Sequence, residues 1–161
     1  MIDKSLLQQL VLTRLEADLQ AAAHAAQVAH ETATHEENIA ENKYDTLGLE
    51  AAYLATGQAR RVEAIRQAIA MWRQLNLRPF AEESGIALGA LICLVDEHAT
   101  EQLLLLGPNG ASMKLLHDGQ TIQVISHEAP LGKVLLGKTV GDDVSLRIAN
   151  STQHFEILWV Q

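Results

Sequence analysis

From Ile2 to about Leu77 the chain contains no proline, and its apolar positions recur at alternating spacings of three and four. Leu12, Leu15, Leu19, Ala22, Ala26, Ala29 and Ala33 mark one seam. Ala51, Ala55, Gln58, Val62, Ile65, Ile69 and Trp72 mark a second. Both have the a/d pattern of helices that pack along their length. Large side chains give way to alanine along the first seam and return along the second, which predicts an antiparallel hairpin with its small residues near the turn. Arms of roughly thirty residues would reach about 45 Å. The turn is expected between Thr32 and Asn38, centred on 33–37, where Thr34 with Glu37 and Asn38 with Glu41 offer competing capping pairs. Gly48 and Gly57 each cost about 1 kcal/mol relative to alanine inside a helix, and close approach of the arms is the simplest reason to accept that cost.

Beyond Leu77 the period changes. Pro79 ends the helical pattern, and a polar break over 82–85 precedes the continuous apolar run Ile86 to Val95, a buried-strand pattern. Leu103 to Leu106 is a second strand, closed by the strong turn signal Gly107-Pro108-Asn109-Gly110. Met113 to Leu116, Thr121 to Ile125, Asp143 to Ile148 and Phe155 to Val160 supply the rest, with Asp142 and Asp143 read as turn residues after Gly141. Pro130 at the first turn and Gly137 just past the end delimit one short helix. The expected fold class is therefore α+β, with a helical hairpin over residues 1–77 followed by an antiparallel sheet with one short helix over 78–161.

Composition narrows the function. With 48% apolar but only 4% aromatic residues, the core must be built from Leu, Ala, Val and Ile. A formal net charge of −8 argues against independent binding of duplex DNA, which needs clustered Lys and Arg. The single Cys93 has no partner for an internal disulfide and reads as a small core residue of a reducing compartment. The N-terminal residues lack the pattern of a signal peptide, and no apolar run is long enough to span a bilayer, so a cytoplasmic protein without a membrane partner is expected.

Candidate chemistry lies at the hairpin tip, where Glu36, Glu37, Glu41, Asp45 and Glu50 oppose only Lys43. On a continuous helix Glu37, Glu41 and Asp45 would share one face. Hard carboxylate oxygens suit Mg²⁺, which takes one or two protein carboxylates and draws its other ligands from elsewhere. Such a tip could complete a site that a partner already half-builds; equally, these acids favour the positive end of a helix and keep an alanine-rich hairpin soluble. His24, His30 and His35 are too widely spaced for a metal site and read as surface residues. Arg60, Arg61, Arg66 and Arg73 form a basic flank facing away from the seam, and an ordinary solvated face accounts for them.

Ile125 to Ile157, ISHEAPLGKVLLGKTVGDDVSLRIANSTQHFEI, closely resembles the C-terminal part of the Gre family of bacterial transcript-cleavage factors, and Glu41-Asn42-Lys43-Tyr44 resembles the Glu-Asn signature that opens the second coiled-coil arm in that family. The resemblance implies an FKBP-like C-terminal domain that binds RNA polymerase through Ala129, Pro130, Leu131 and Gly132, where family members carry Ser-Pro-x-Gly. It further implies a coiled-coil tip that enters the polymerase secondary channel, meeting nascent RNA only inside that complex, with Arg60 and Arg61 as RNA-facing candidates. In cleavage-active members an Asp three residues before the motif's Glu shares a second Mg²⁺ with the polymerase. Here Glu41 matches the Glu, but the Asp position is Asn38. The chain thus resembles a paralogue with a modified tip, a monomer without a cofactor of its own, in which Glu37 or Asp45 are substitute ligands. The alternatives are a full transcript-cleavage factor, an FKBP-like isomerase or chaperone, and a structural coiled coil. Isomerase activity relies on an aromatic pocket, for which the C-terminal half offers only Phe80, Phe155 and Trp159. A structural coiled coil is disfavoured because alanine seams bury little area against a partner helix.

Overall fold

A computed structural model describes residues 1–35 and 46–161, with the side chain of Leu47 also outside the description. Two helices, α1 (Lys4–Thr34) and α2 (Leu47–Gln74), form the hairpin, followed by β1 (Leu91–Asp96), β2 (Glu101–Gly107), β3 (Met113–His117), β4 (Gln120–Ser126), α3 (Pro130–Leu135), β5 (Asp143–Ile148) and β6 (Ser151–Val160). Two compact units result: Met1–Leu12 with Ala70–Gln161, and Thr13–Ile69. Among the described residues no helix is long and apolar enough to cross a membrane.

In the unit Thr13–Ile69 the seam residues point inward as their spacing predicts. Leu15, Ala22, Ala29, Ala51, Val62 and Ile69 are buried, and Leu19, Ala26, Ala33, Ala55, Gln58 and Ile65 are half-buried. Gly57 departs from the expectation of close approach. It is exposed, and a Cβ built there would meet nothing within 4 Å. The Thr34 hydroxyl donates to the His30 carbonyl at 3.0 Å, and the expected capping partners Glu37, Asn38 and Glu41 lie outside the described residues. At the start of α2 the Thr46 carbonyl accepts from Glu50 N at 2.9 Å and its hydroxyl donates to the Glu50 carboxylate at 3.3 Å.

The other unit is built on a six-stranded sheet of order β3-β4-β2-β1-β6-β5. Four pairings are antiparallel, but β2 and β4 run parallel, Leu103 opposite Ile122 and Leu105 opposite Val124. The sheet is therefore mixed rather than wholly antiparallel. The turn at 107–110 is no hairpin; it carries the chain past β2 to the edge, and β4 returns to pair beside β2. Asp118-Gly119, with both residues at positive φ, makes the tight β3–β4 hairpin.

The apolar run begins as predicted but becomes a strand only at Leu91, since Gly89 at φ +90° turns the chain and donates to the Leu106 carbonyl at 2.7 Å. Ile92, Leu94, Leu104, Leu106 and Ile157 form one core with Ile86, Leu135 and Val144. The alternating residues Leu91, Cys93 and Leu105 are buried as well, which is why this stretch reads as continuously apolar. Trp72 packs directly over Gly107, where a Cβ would collide with the indole. Residues near the chain's two ends complete the unit. Ile2 N donates to Gln161 Oε1 at 3.1 Å, and Gln161 and Leu91 exchange backbone bonds at 2.8 and 3.0 Å.

Candidate functional site

The loop that leads from β4 into α3 is held from below by the turn after β2. The Ser126 hydroxyl donates to Asn109 Oδ1 and accepts from Glu128 N at 3.0 Å. His127 N donates to the Gly107 carbonyl at 3.0 Å, and Ala129 N to the Ser126 carbonyl at 3.1 Å. Ala129 occupies the N-cap position of α3 with extended backbone (φ −63°, ψ 152°) and no side-chain cap. Pro130 follows at the first helical position, where a missing N–H costs nothing. At the far end Gly137, at φ +78°, donates to the Ile86 carbonyl at 2.8 Å and fastens α3 to the core.

The four residues of this loop play different structural parts. Pro130 is exposed and Ala129 is half-buried. Leu131 is half-buried and packs against the sheet core. Gly132 is buried, and any Cβ there would run into the Ser126 carbonyl oxygen. Glycine at this position is thus fixed by packing, whatever Pro130 and Leu131 touch.

Beside Leu131 lies a groove of about 530 Å³, with Leu146 and Phe155 as its apolar wall and Asp96, Glu97 and His154 on its polar side. Ser145 Oγ and His154 Nδ1 are 2.8 Å apart, and His154 Nε2 stands 3.9 Å from Glu97 Oε1. The order serine, histidine, carboxylate resembles a nucleophile relay. All three side chains are open to solvent, however, so the pairing amounts to a weak surface contact.

The predicted tip residues Glu36, Glu37, Asn38, Glu41 and Asp45 lie outside the described residues. Glu50 is exposed and bonded to Thr46. Arg60 and Arg61 are exposed on α2, as are His24 and His30 on α1 and His35 just past its end. Among the described residues no group of three or more His, Cys, Asp or Glu could hold a metal ion. Cys93 is buried, and burial, reinforced by the Glu101 carboxylate 3.8 Å from its sulfur, pushes the thiol pKa up. That makes it an unreactive core residue.

Three features escaped the sequence reading. Asn109 reads in the sequence only as a turn residue, yet the Ser126 hydroxyl donates to its side chain. Thr46 stands four residues before Glu50 and so does not match the three-residue spacing of a capping box. Asp118-Gly119 between two short apolar runs was a readable hairpin signal.

Residues 81–161, half of the chain, match the family model "Transcription elongation factor, GreA/GreB, C-term". Among solved structures, the chain is similar to GreA factor homolog 1 of Thermus aquaticus, at 22% identity, TM-score 0.41 and 92% coverage of both chains. The Thermus thermophilus protein of that name is 19% identical, with TM-score 0.38, covering 93% of this chain and 94% of its own. A GreA/GreB elongation factor from Nitrosomonas europaea is 18% identical, with TM-score 0.39, over 61% of this chain and 79% of its own. No curated protein sequence matches. With the family match running through the whole sheet and α3, the chain belongs to the GreA/GreB family of transcription elongation factors.

Proposed function

We propose that this protein binds RNA polymerase through its C-terminal domain, residues 78–161, and inserts the tip of the hairpin, residues 1–77, into the secondary channel, regulating transcription with weak or absent transcript cleavage. The observation that carries this reading is the family match over residues 81–161, which contains the Ala129–Gly132 loop. The protein is not itself an enzyme; any cleavage belongs to the polymerase active site, and the cytoplasm is where the two meet. Glu41, with Glu37 and Asp45 near it in sequence, offers hard oxygen donors of the kind Mg²⁺ prefers. A magnesium ion shared there with the polymerase would stabilise charge on the oxygens of a phosphodiester under attack. Asn38, three residues before Glu41 in sequence, contributes a neutral amide whose nitrogen end is a donor, so half of the family's carboxylate pair is missing.

Two measurements test the reading. In a polymerase pull-down, Pro130→Glu should abolish capture, since Pro130 is exposed and glutamate is well tolerated in a first helical turn. Leu131 is a poorer probe because a charge there would strike the core. Unchanged capture by the folded variant would show that the loop is not the anchor. In a cleavage assay on stalled complexes the unmodified protein should be slow, Asn38→Asp should accelerate cleavage about tenfold, equivalent to about 1.4 kcal/mol of barrier, and Glu41→Ala should cancel the gain. Robust cleavage by the unmodified protein would favour the full cleavage factor and point to Glu37 and Asp45 as ligands.

A further inference from the structure

Asn109-Gly110 is the one Asn-Gly pair in the chain; the other asparagines precede Ile, Lys, Leu and Ser. It lies in the turn after β2, with Asn109 half-buried and Gly110 exposed at φ +91°. Asparagine is among the thermally labile side chains. Its weak point is the amide carbon Cγ, which the backbone nitrogen of the next residue can approach most closely when that residue has no Cβ. Among the described residues Gly110 N donates no hydrogen bond, and neither does Asn109 Nδ2, so nucleophile and leaving group are both unengaged. One contact restrains the side chain: the Ser126 hydroxyl donates to Asn109 Oδ1.

We propose that Asn109 is a site of spontaneous deamidation, held back by Ser126, and that its conversion loosens the loop leading into α3. Gly110 N gives up its proton to solvent and bonds to Cγ as the Cγ–Nδ2 bond breaks, and the departing nitrogen takes up a proton and leaves as ammonia. A cyclic imide remains, and water opens it at one of its carbonyls. Opening at Cγ gives aspartate, whose oxygens can still accept from Ser126. Opening at the main-chain carbonyl gives an isoaspartyl linkage, in which Oδ1 belongs to the peptide unit and the main chain is longer by one carbon. Ser126 then loses the acceptor that orients its hydroxyl. That same hydroxyl accepts from Glu128 N at 3.0 Å, in the segment that leads to Pro130. The assignment is independent of polymerase binding.

The full-length protein is aged in mildly alkaline buffer and digested, and its asparagine peptides are followed by mass spectrometry with the aspartyl and isoaspartyl forms separated. Asn109 should convert at least threefold faster than Asn150, the exposed asparagine between β5 and β6, and both products should appear. Ser126→Ala, which removes the restraint, should speed conversion at Asn109 at least threefold and leave Asn150 unchanged. In the aged, unaltered protein the isoaspartyl fraction should exchange its Glu128 amide faster than the unconverted fraction, a comparison that needs no variant to fold. The proposal is overturned if Asn109 converts no faster than Asn150, if folded Ser126→Ala leaves the Asn109 rate unchanged or accelerates both sites equally, or if Glu128 exchange is the same in the two fractions.

Discussion

Gly57 sits in the interior of α2 with open space where its side chain would be. Nothing in the packing requires glycine there, so Gly57→Ala should stabilise the protein by about 1 kcal/mol through the smaller entropy cost of fixing alanine in a helix. A higher urea midpoint at unchanged slope would register this. Gly132 is the opposite case: Gly132→Ala forces a methyl into the Ser126 carbonyl and should cost about 1–3 kcal/mol, seen as a lower melting temperature. The two glycines look alike in sequence, and only the neighbours brought by the fold separate them. Lys4 adds a pH signature. Its pKa is lower folded than unfolded, so between those two values the unfolded chain holds more proton and stability rises with pH. Below both values the penalty is present in full. Lys4→Met should flatten that alkaline rise when denaturation is compared with the unaltered protein.

Helix α3 begins without a side-chain cap, since Ala129 has no oxygen to offer its first N–H groups. Ala129→Ser should therefore stabilise the protein by about 1 kcal/mol, measurable by thermal denaturation. The hairpin's alanines are unequal. Ala29 is 4% exposed, so Ala29→Leu should overpack the seam at a cost of about 1–3 kcal/mol. Ala26 borders an interhelical cleft of about 380 Å³ with Ala55 and Val62, and Ala26→Leu should be much better tolerated. Equal losses in the two variants would show that the cleft closes in solution. The seams were legible in the sequence because a repeat of three and four specifies a helix face locally. The strands were legible for a similar reason, by apolar runs between turn residues. The parallel β2–β4 pairing was not, because strand direction is set by which neighbour a strand finds after the turn, and no residue pattern within β4 encodes it. Of the candidate site, Pro130 and Gly132 stood out in the sequence, whereas the Asn109–Ser126 support joins residues seventeen apart and appears only once the loops meet.

At the scale of the molecule, one compact unit is discontinuous in sequence: Met1–Leu12 belongs with Ala70–Gln161, and Thr13–Ile69 intervenes. Ile2 is hydrogen-bonded to Gln161, 159 positions away. During synthesis these partners leave the ribosome 159 residues apart. Thr13–Ile69 has all of its own residues in hand early and can form while translation continues. The sheet-containing unit must wait, holding its first turns of α1 without their final contacts until β6 and Gln161 emerge. Loop closure over so long a separation adds entropy only slowly with length, so the delay is set by the order of emergence more than by the thermodynamic cost. Nascent chains halted before β6 should accordingly protect the hairpin amides from exchange while leaving Leu91 and Ile92 open, and a chain permuted to join residues 161 and 1 by a short linker should lose that lag.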